Sequence, residues 1–192
     1  MLFYNQLLNS DNMAQSFIPI NEDKEEYYRA YDIGGLSMIE QWIEDFNESG
    51  TIALLLMDRW KSNKVAFVGD YDAGLFYTAE NTYKDIADIV NKLKEEKLNE
   101  FIQSKDKYAV VNETDKTFVV GSPKQISIML IVLLRQTCEI GGSNIYLYVS
   151  KEIAGMFAGK NIFVSKKSEF NDNGYKDITK YVIGPSMKFY KS

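Results

Sequence analysis

The apolar residues of this 192-residue chain follow two different rhythms. Met38, Ile39, Trp42, Ile43 and Phe46 recur at spacings of three and four, which places them on one face of a helix that Gly50 would end. The same rhythm returns over residues 79–102, where Tyr83, Ile86, Ile89, Val90, Leu93, Leu98 and Phe101 form a stripe and Lys92, Lys94, Glu95, Glu96 and Lys97 face solvent. This is the longest helix that the pattern predicts. Residues 52–57 are apolar without interruption, so a buried strand and a buried helical turn fit them equally well. Residues 64–70 follow the turn residues Ser62 and Asn63 and read as a strand.

Further along, residues 108–112 and 117–120 read as two strands joined by the turn Glu113-Thr114-Asp115-Lys116. Ser122 then supplies a helix N-cap, Pro123 a first helical residue and Gln125 the return bond of a capping box. The helix so opened runs to about Gln136 and is apolar on nearly every side, which puts it in the middle of the molecule. Beyond Gly141 and Gly142, residues 144–149 read as a strand and 151–157 as a short helix. Residues 1–24 are broken by Ser10, Asp11, Asn12 and Pro19 and read as an N-terminal extension, a short element followed by a loop. Residues 25–192 then form a single α+β domain: a short antiparallel or mixed sheet with hairpins, packed on two or three helices, one of them central and apolar.

One pattern occurs twice. WKSNKVAF at residues 60–67 lies on FAGKNIFV at 157–164, an aromatic, a turn and an apolar strand in the same order. Tyr83-Lys84-Asp85-Ile86 matches Tyr175-Lys176-Asp177-Ile178, and both Asp-Ile steps place a carboxylate near a helix start, where the dipole favours it. A strand-then-helix unit therefore recurs in residues 51–90 and 145–183. Two units are too few for a solenoid.

Composition narrows the chemistry. Hydrophobic residues at 45% and charged residues at 26% describe a globular chain able to bury a core. A net charge of −5 repels phosphate backbones, and Lys is dispersed among Glu and Asp, so nucleic acid is not the expected partner. The absence of histidine removes Ser-His-Asp and Cys-His machinery and the usual zinc helices. Cys138, the single cysteine, reads as a small buried apolar residue and not as a nucleophile. No signal peptide opens the chain and its longest apolar run is too short to span a bilayer, so no membrane association and a cytoplasmic location are expected.

The ordered series SMIEQWIEDF, WKSNKVAFVGDYD, YAVVNETDKTFVV, EIGGSN and FAGKNIFV resembles a group of uncharacterised bacterial and phage proteins. In that group a helix with a Glu-His pair precedes a Trp-x-Gly-Asp-Arg-Val strand ending in Gly-Asp-Tyr, followed by an Asn-His-Thr hairpin and a Gly-rich turn. The resemblance covers most of residues 37–178 and implies a bacterial or phage origin, with no activity attached. Gln41 and Glu113 stand where the group has histidines, and Asn144 where its turn has Asp.

The sharpest enzymatic constellation is Asp58, Asp70 and Asp72. A hairpin bringing these carboxylates together would offer hard oxygen ligands to Mg²⁺ or Mn²⁺, with Arg59 and Lys64 nearby for a phosphoester or nucleotide hydrolase. Asp at strand ends is also common simply because it closes turns. Gly141-Gly142-Ser143-Asn144 lacks the phosphate-loop spacing, and no dinucleotide fingerprint occurs. Thirteen Tyr and eleven Phe offer large amphipathic area for contacts. The sequence thus points first to a non-catalytic binding or self-assembly protein with an aromatic-rich surface, no cofactor, and a protein partner or a homo-oligomer. A metal-dependent hydrolase and a module sequestering a small ligand are the alternatives.

Overall fold

The computed structural model describes residues 15–36, 38–44, 46–71, 74–135, 147–148, 152–183 and 188–189. Cys138, the Gly141–Asn144 turn and Asp72 lie outside them.

Strand β1 (Phe17–Asn21) turns into β2 (Glu26–Tyr27), and helices α1 (Ile39–Glu44) and α2 (Phe46–Met57) follow. Strand β3 (Asn63–Gly69) returns antiparallel to β1, and α3 (Leu75–Thr82) leads to β4 (Lys84–Asp85), parallel to β2. One continuous helical stretch comes next: α4 (Ala87–Leu93), a π-helical turn over Lys94–Leu98, and α5 (Asn99–Gln103). A second hairpin, β5 (Tyr108–Asn112) and β6 (Thr117–Gly121), opens into α6 (Pro123–Leu134). After β7 (Leu147–Tyr148) come β8 (Lys160–Lys166), β9 (Lys176–Asp177), α7 (Thr179–Ile183) and β10 (Lys188–Phe189). The sheet is mixed, eight strands in the order β4-β2-β1-β3-β8-β5-β6-β9, while β7 and β10 pair separately.

Strand alternation splits the core in two. Phe17, Val65, Phe67, Val110 and Val164 face the apolar helices α2 and α6, with Val90, Leu98 and Phe101 of the long helical stretch closing that layer. On the opposite face Ile18, Ile20, Ala66 and Val68 meet Phe76 and Ala79 of α3, and Ala109, Val111 and Phe118 meet Phe163, Phe170 and Tyr175. The α+β architecture and the buried apolar helix follow the hydrophobic pattern, and Ser122 and Gln125 make both bonds of the capping box.

Several elements differ from the periodicity. The stripe over 79–102 is one rhythm but two helices, because Lys84 N–H donates to Glu25 O at 2.7 Å and Ile86 N–H to Tyr27 O at 2.9 Å, pulling the chain out as β4. Residues 52–57 belong to helix α2. Gly50 does not end a helix; it sits inside α2, where a Cβ would meet Leu98 Cδ1 at 2.7 Å. Residues 17–21, read as part of an extension, form the inner strand β1. Even-numbered residues of β1 face β3, as Glu22 N–H to Lys64 O shows at 2.9 Å, so Pro19 turns its missing N–H toward β2, which pairs only with Ile20 and Asn21.

Candidate functional site

Asp58 and Asp70 do not meet on a hairpin, and Asp72 lies outside the described residues. Asp58 lies in the turn after α2 and Asp70 directly follows β3, so the seven extended residues of β3 stand between them, roughly 20 Å at 3.3 Å per residue. The hairpin required two strands, and residues 52–57 are helical instead. Among the described residues no group of three His, Cys, Asp or Glu is placed to hold a metal ion.

The aromatic residues divide. Trp42, Trp60, Tyr28, Phe17, Phe67 and Phe157 are fully buried, while Tyr31, Tyr71, Tyr77 and Tyr181 are exposed. No helix among the described residues is long and apolar enough to cross a membrane.

A cleft of ≈ 580 Å³ opens where the amino ends of α2 and α6 meet the loop after β2. The first turn of α2 supplies Phe46, Asn47 and Glu48, the first turn of α6 supplies Lys124, and Gln41 comes from α1. A 3₁₀ turn over Ala30–Ile33 ends on Gly34, whose φ of 82° is the left-handed cap that glycine adopts freely. That cap steers Gly35 and Leu36 over the cleft. Gly35 is the closest approach: a Cβ there would lie 1.6 Å from Glu48 Oε1.

Glu48 is 2% exposed and forms the floor. Below it, Thr51 Oγ1 donates to Glu48 O at 2.6 Å and the buried Tyr28 hydroxyl donates to Thr51 Oγ1 at 2.7 Å. Burial drives the Tyr28 pKa far up, the hydrogen bond shared with Thr51 offsets part of that rise, and the charge of Glu48 adds to it. At the rim, the Gln41 carboxamide is held through its oxygen by Met38 N–H at 3.1 Å. Lys124 Nζ rests 5.1 Å above the Phe46 ring. The cleft therefore combines a buried acid, an amine, two amides and the apolar surfaces of Leu36, Phe46 and Ile102.

A second cleft of ≈ 520 Å³ beside α5 is lined by Leu54, Met57 and Phe101, and its Lys166 is paired with Asp106 at 2.7 Å. A further polar cluster is internally paired: Glu26 accepts from Trp60 Nε1 at 2.9 Å and from Arg59 Nε at 2.9 Å.

The sequence did carry a signal for the first cleft. Gly34-Gly35 ahead of Leu36, and a Glu in the first turn of a helix whose apolar run starts four residues later, mark a backbone that comes close to a buried acid. No family model, curated protein or solved structure matches the chain.

Proposed function

We propose that the protein is a non-catalytic binding module that holds a small amine-bearing ligand in the cleft between α1, α2 and α6. The observation that carries this reading is the buried Glu48 carboxylate at the floor of a cleft whose volume suits a small molecule. A carboxylate withdrawn from water is weakly screened, so it favours a protonated amine brought alongside. Lys124 at the rim suits an anionic end, and Leu36, Phe46 and Ile102 suit a short carbon skeleton between the two. A zwitterion of the amino-acid type fits that order of charges. The lining consists of groups that recognise and not of groups that attack a substrate.

Thermal unfolding against a panel of free amino acids, simple amines and carboxylic acids without an amine tests the reading. Amino acids raise the melting temperature by mass action while the amine-free acids leave it unchanged. Glu48→Gln abolishes the rise, and Lys124→Ala spares the response to simple amines. A flat response across the panel removes the proposal.

Contact with a protein partner or a second copy is the second reading. It is favoured by Tyr31 and Leu36, 59% and 61% exposed on the segment that closes the cleft. Sedimentation equilibrium of the parent chain and of Tyr31→Asp/Leu36→Asp checks it, a lower mass for the variant being the expected result.

A further inference from the structure

We infer that residues 17–91 and 108–183 are two copies of one ββαββα unit, joined through an interface that is the internal equivalent of a symmetric homodimer contact. The partner this interface fits is another copy of the same unit. The inference is independent of any ligand in the cleft.

A set of bonds occurs twice at matching positions. In the first hairpin Asn21 Oδ1 accepts from Lys24 N–H at 3.0 Å; in the second, Asn112 Oδ1 accepts from Asp115 N–H at 3.0 Å. Four residues after each Asn stands a left-handed residue, Glu25 with φ 51° and Lys116 with φ 53°. Lys64 N–H donates to Asp23 Oδ2 at 2.8 Å, and Asn161 N–H donates to Thr114 Oγ1 at 3.1 Å. The parallel strands β4 and β9 enter by the same bonds, Lys84 N–H to Glu25 O at 2.7 Å and Lys176 N–H to Lys116 O at 2.8 Å. Each then caps the next helix alike: Asp85 Oδ1 accepts from Ala87 N–H at 2.9 Å and Asp177 Oδ1 from Thr179 N–H at 2.8 Å. Ladder geometry alone does not dictate these side-chain bonds.

Across the junction the bonds are reciprocal, as a two-fold axis requires. Ser62 N–H donates to Ile162 O at 2.8 Å, and Gly159 N–H donates to Val65 O at 3.1 Å. Ser62 and Gly159 are both left-handed, at φ 60° and 65°. Lys64 faces Asn161, its own counterpart, which locates the axis between β3 and β8. Sheet order reads alike from either end, β4-β2-β1-β3 against β9-β6-β5-β8. On the helical side α2 and α6 are twelve residues each, and a Cβ on Gly50, the fifth residue of α2, would lie 3.7 Å from Oγ of Ser127, the fifth of α6.

The copies have diverged where the cleft stands. Eighteen residues, 28–45, separate Tyr27 from α2, whereas four, 119–122, separate Phe118 from α6. Gly34, Gly35, Leu36 and Gln41 all belong to that longer segment.

If the units are copies, their order along the chain is immaterial. Sixteen residues, 92–107, connect the first unit to β5, and residues 184–192 with 1–16 supply twenty-five for the equivalent return path. A circular permutant of the full chain, beginning at Asp106 with Ser192 joined to Met1, therefore folds as a monomer with the parent circular dichroism and one cooperative transition. As a second measurement, exchanging residues 23–25 with 114–116 moves the melting temperature by no more than about 4 °C. A permutant without cooperative unfolding, together with a turn exchange that lowers the midpoint by more than about 10 °C, overturns the inference.

Discussion

The indole N–H of the fully buried Trp60 donates to Glu26 Oε2 at 2.9 Å, across thirty-four residues of chain. The same carboxylate takes the Arg59 guanidinium at both oxygens, so it ties the edge of the first hairpin to the end of the α2–β3 turn. Burial opposes its ionisation, but the bonds from Arg59 and Trp60 and the nearby positive charge outweigh burial and hold its pKa below the ordinary 4.5. A carboxylate with a depressed folded pKa contributes stability that is full above its unfolded value and lost as pH falls through the folded one. Urea denaturation of the parent and of Glu26→Gln will show a gap that is constant near neutrality and narrows below about pH 4.5. Glu26→Ala at pH 7 will lose about 3 kcal/mol, because Arg59 and Trp60 are left with unmatched donors.

Gly35→Ala forces a Cβ against the Glu48 carboxylate, where only 1.6 Å separates them. The loop over the cleft must lift or Glu48 must rotate, at a cost of about 1–3 kcal/mol. Chemical denaturation measures the loss, and the ligand-induced rise in melting temperature shrinks in the same variant.

Ser62 and Gly159 occupy left-handed backbone at matching places, one with a side chain and one without. Relieving the strain by Ser62→Gly will stabilise the fold by roughly 0.5–1 kcal/mol, and Gly159→Ser will destabilise it by a similar amount. Opposite signs of equal size in equilibrium unfolding are the expected result; two changes of the same sign would contradict the pairing.

Millimolar Mg²⁺ or Mn²⁺ will leave the melting temperature unchanged in the parent chain and in Asp70→Asn alike. Strand β3 separates Asp58 from Asp70, so neither supplies a second ligand to the other. A metal-dependent rise of several degrees, lost in Asp70→Asn, would restore a hydrolytic reading.

What the sequence showed was whatever local chemistry decides. Ser122, Pro123 and Gln125 start α6 by bonds within four residues, and the 108–120 hairpin is written in alternation and a turn. What it concealed depends on distant partners. Nothing between Thr82 and Ile86 breaks a helix; the edge of β2 does so, by offering two carbonyls. Gly50 resembles a stop until Leu98 and Ser127 are seen packed against it. The strand at Phe17–Asn21 was hidden by Pro19, whose lost donor matters only on the side where β2 has already ended. Half of the internal match was readable in residues 60–67 and 157–164, but the hairpins share bonding positions more than letters: Asp23 and Thr114 do one job with different oxygens. The cleft gathers residues from α1, α2, α5 and α6, and no stretch of sequence contains it.

The eight-stranded sheet is finished at each end by a strand of only two residues, Lys84–Asp85 and Lys176–Asp177, all four of them exposed. A stray extended segment arriving there finds at most one or two backbone partners and side chains of both signs, too little to template further growth. Such blunt margins equip the protein to stay dispersed when crowded, in spite of the broad hydrogen-bonded sheet at its heart.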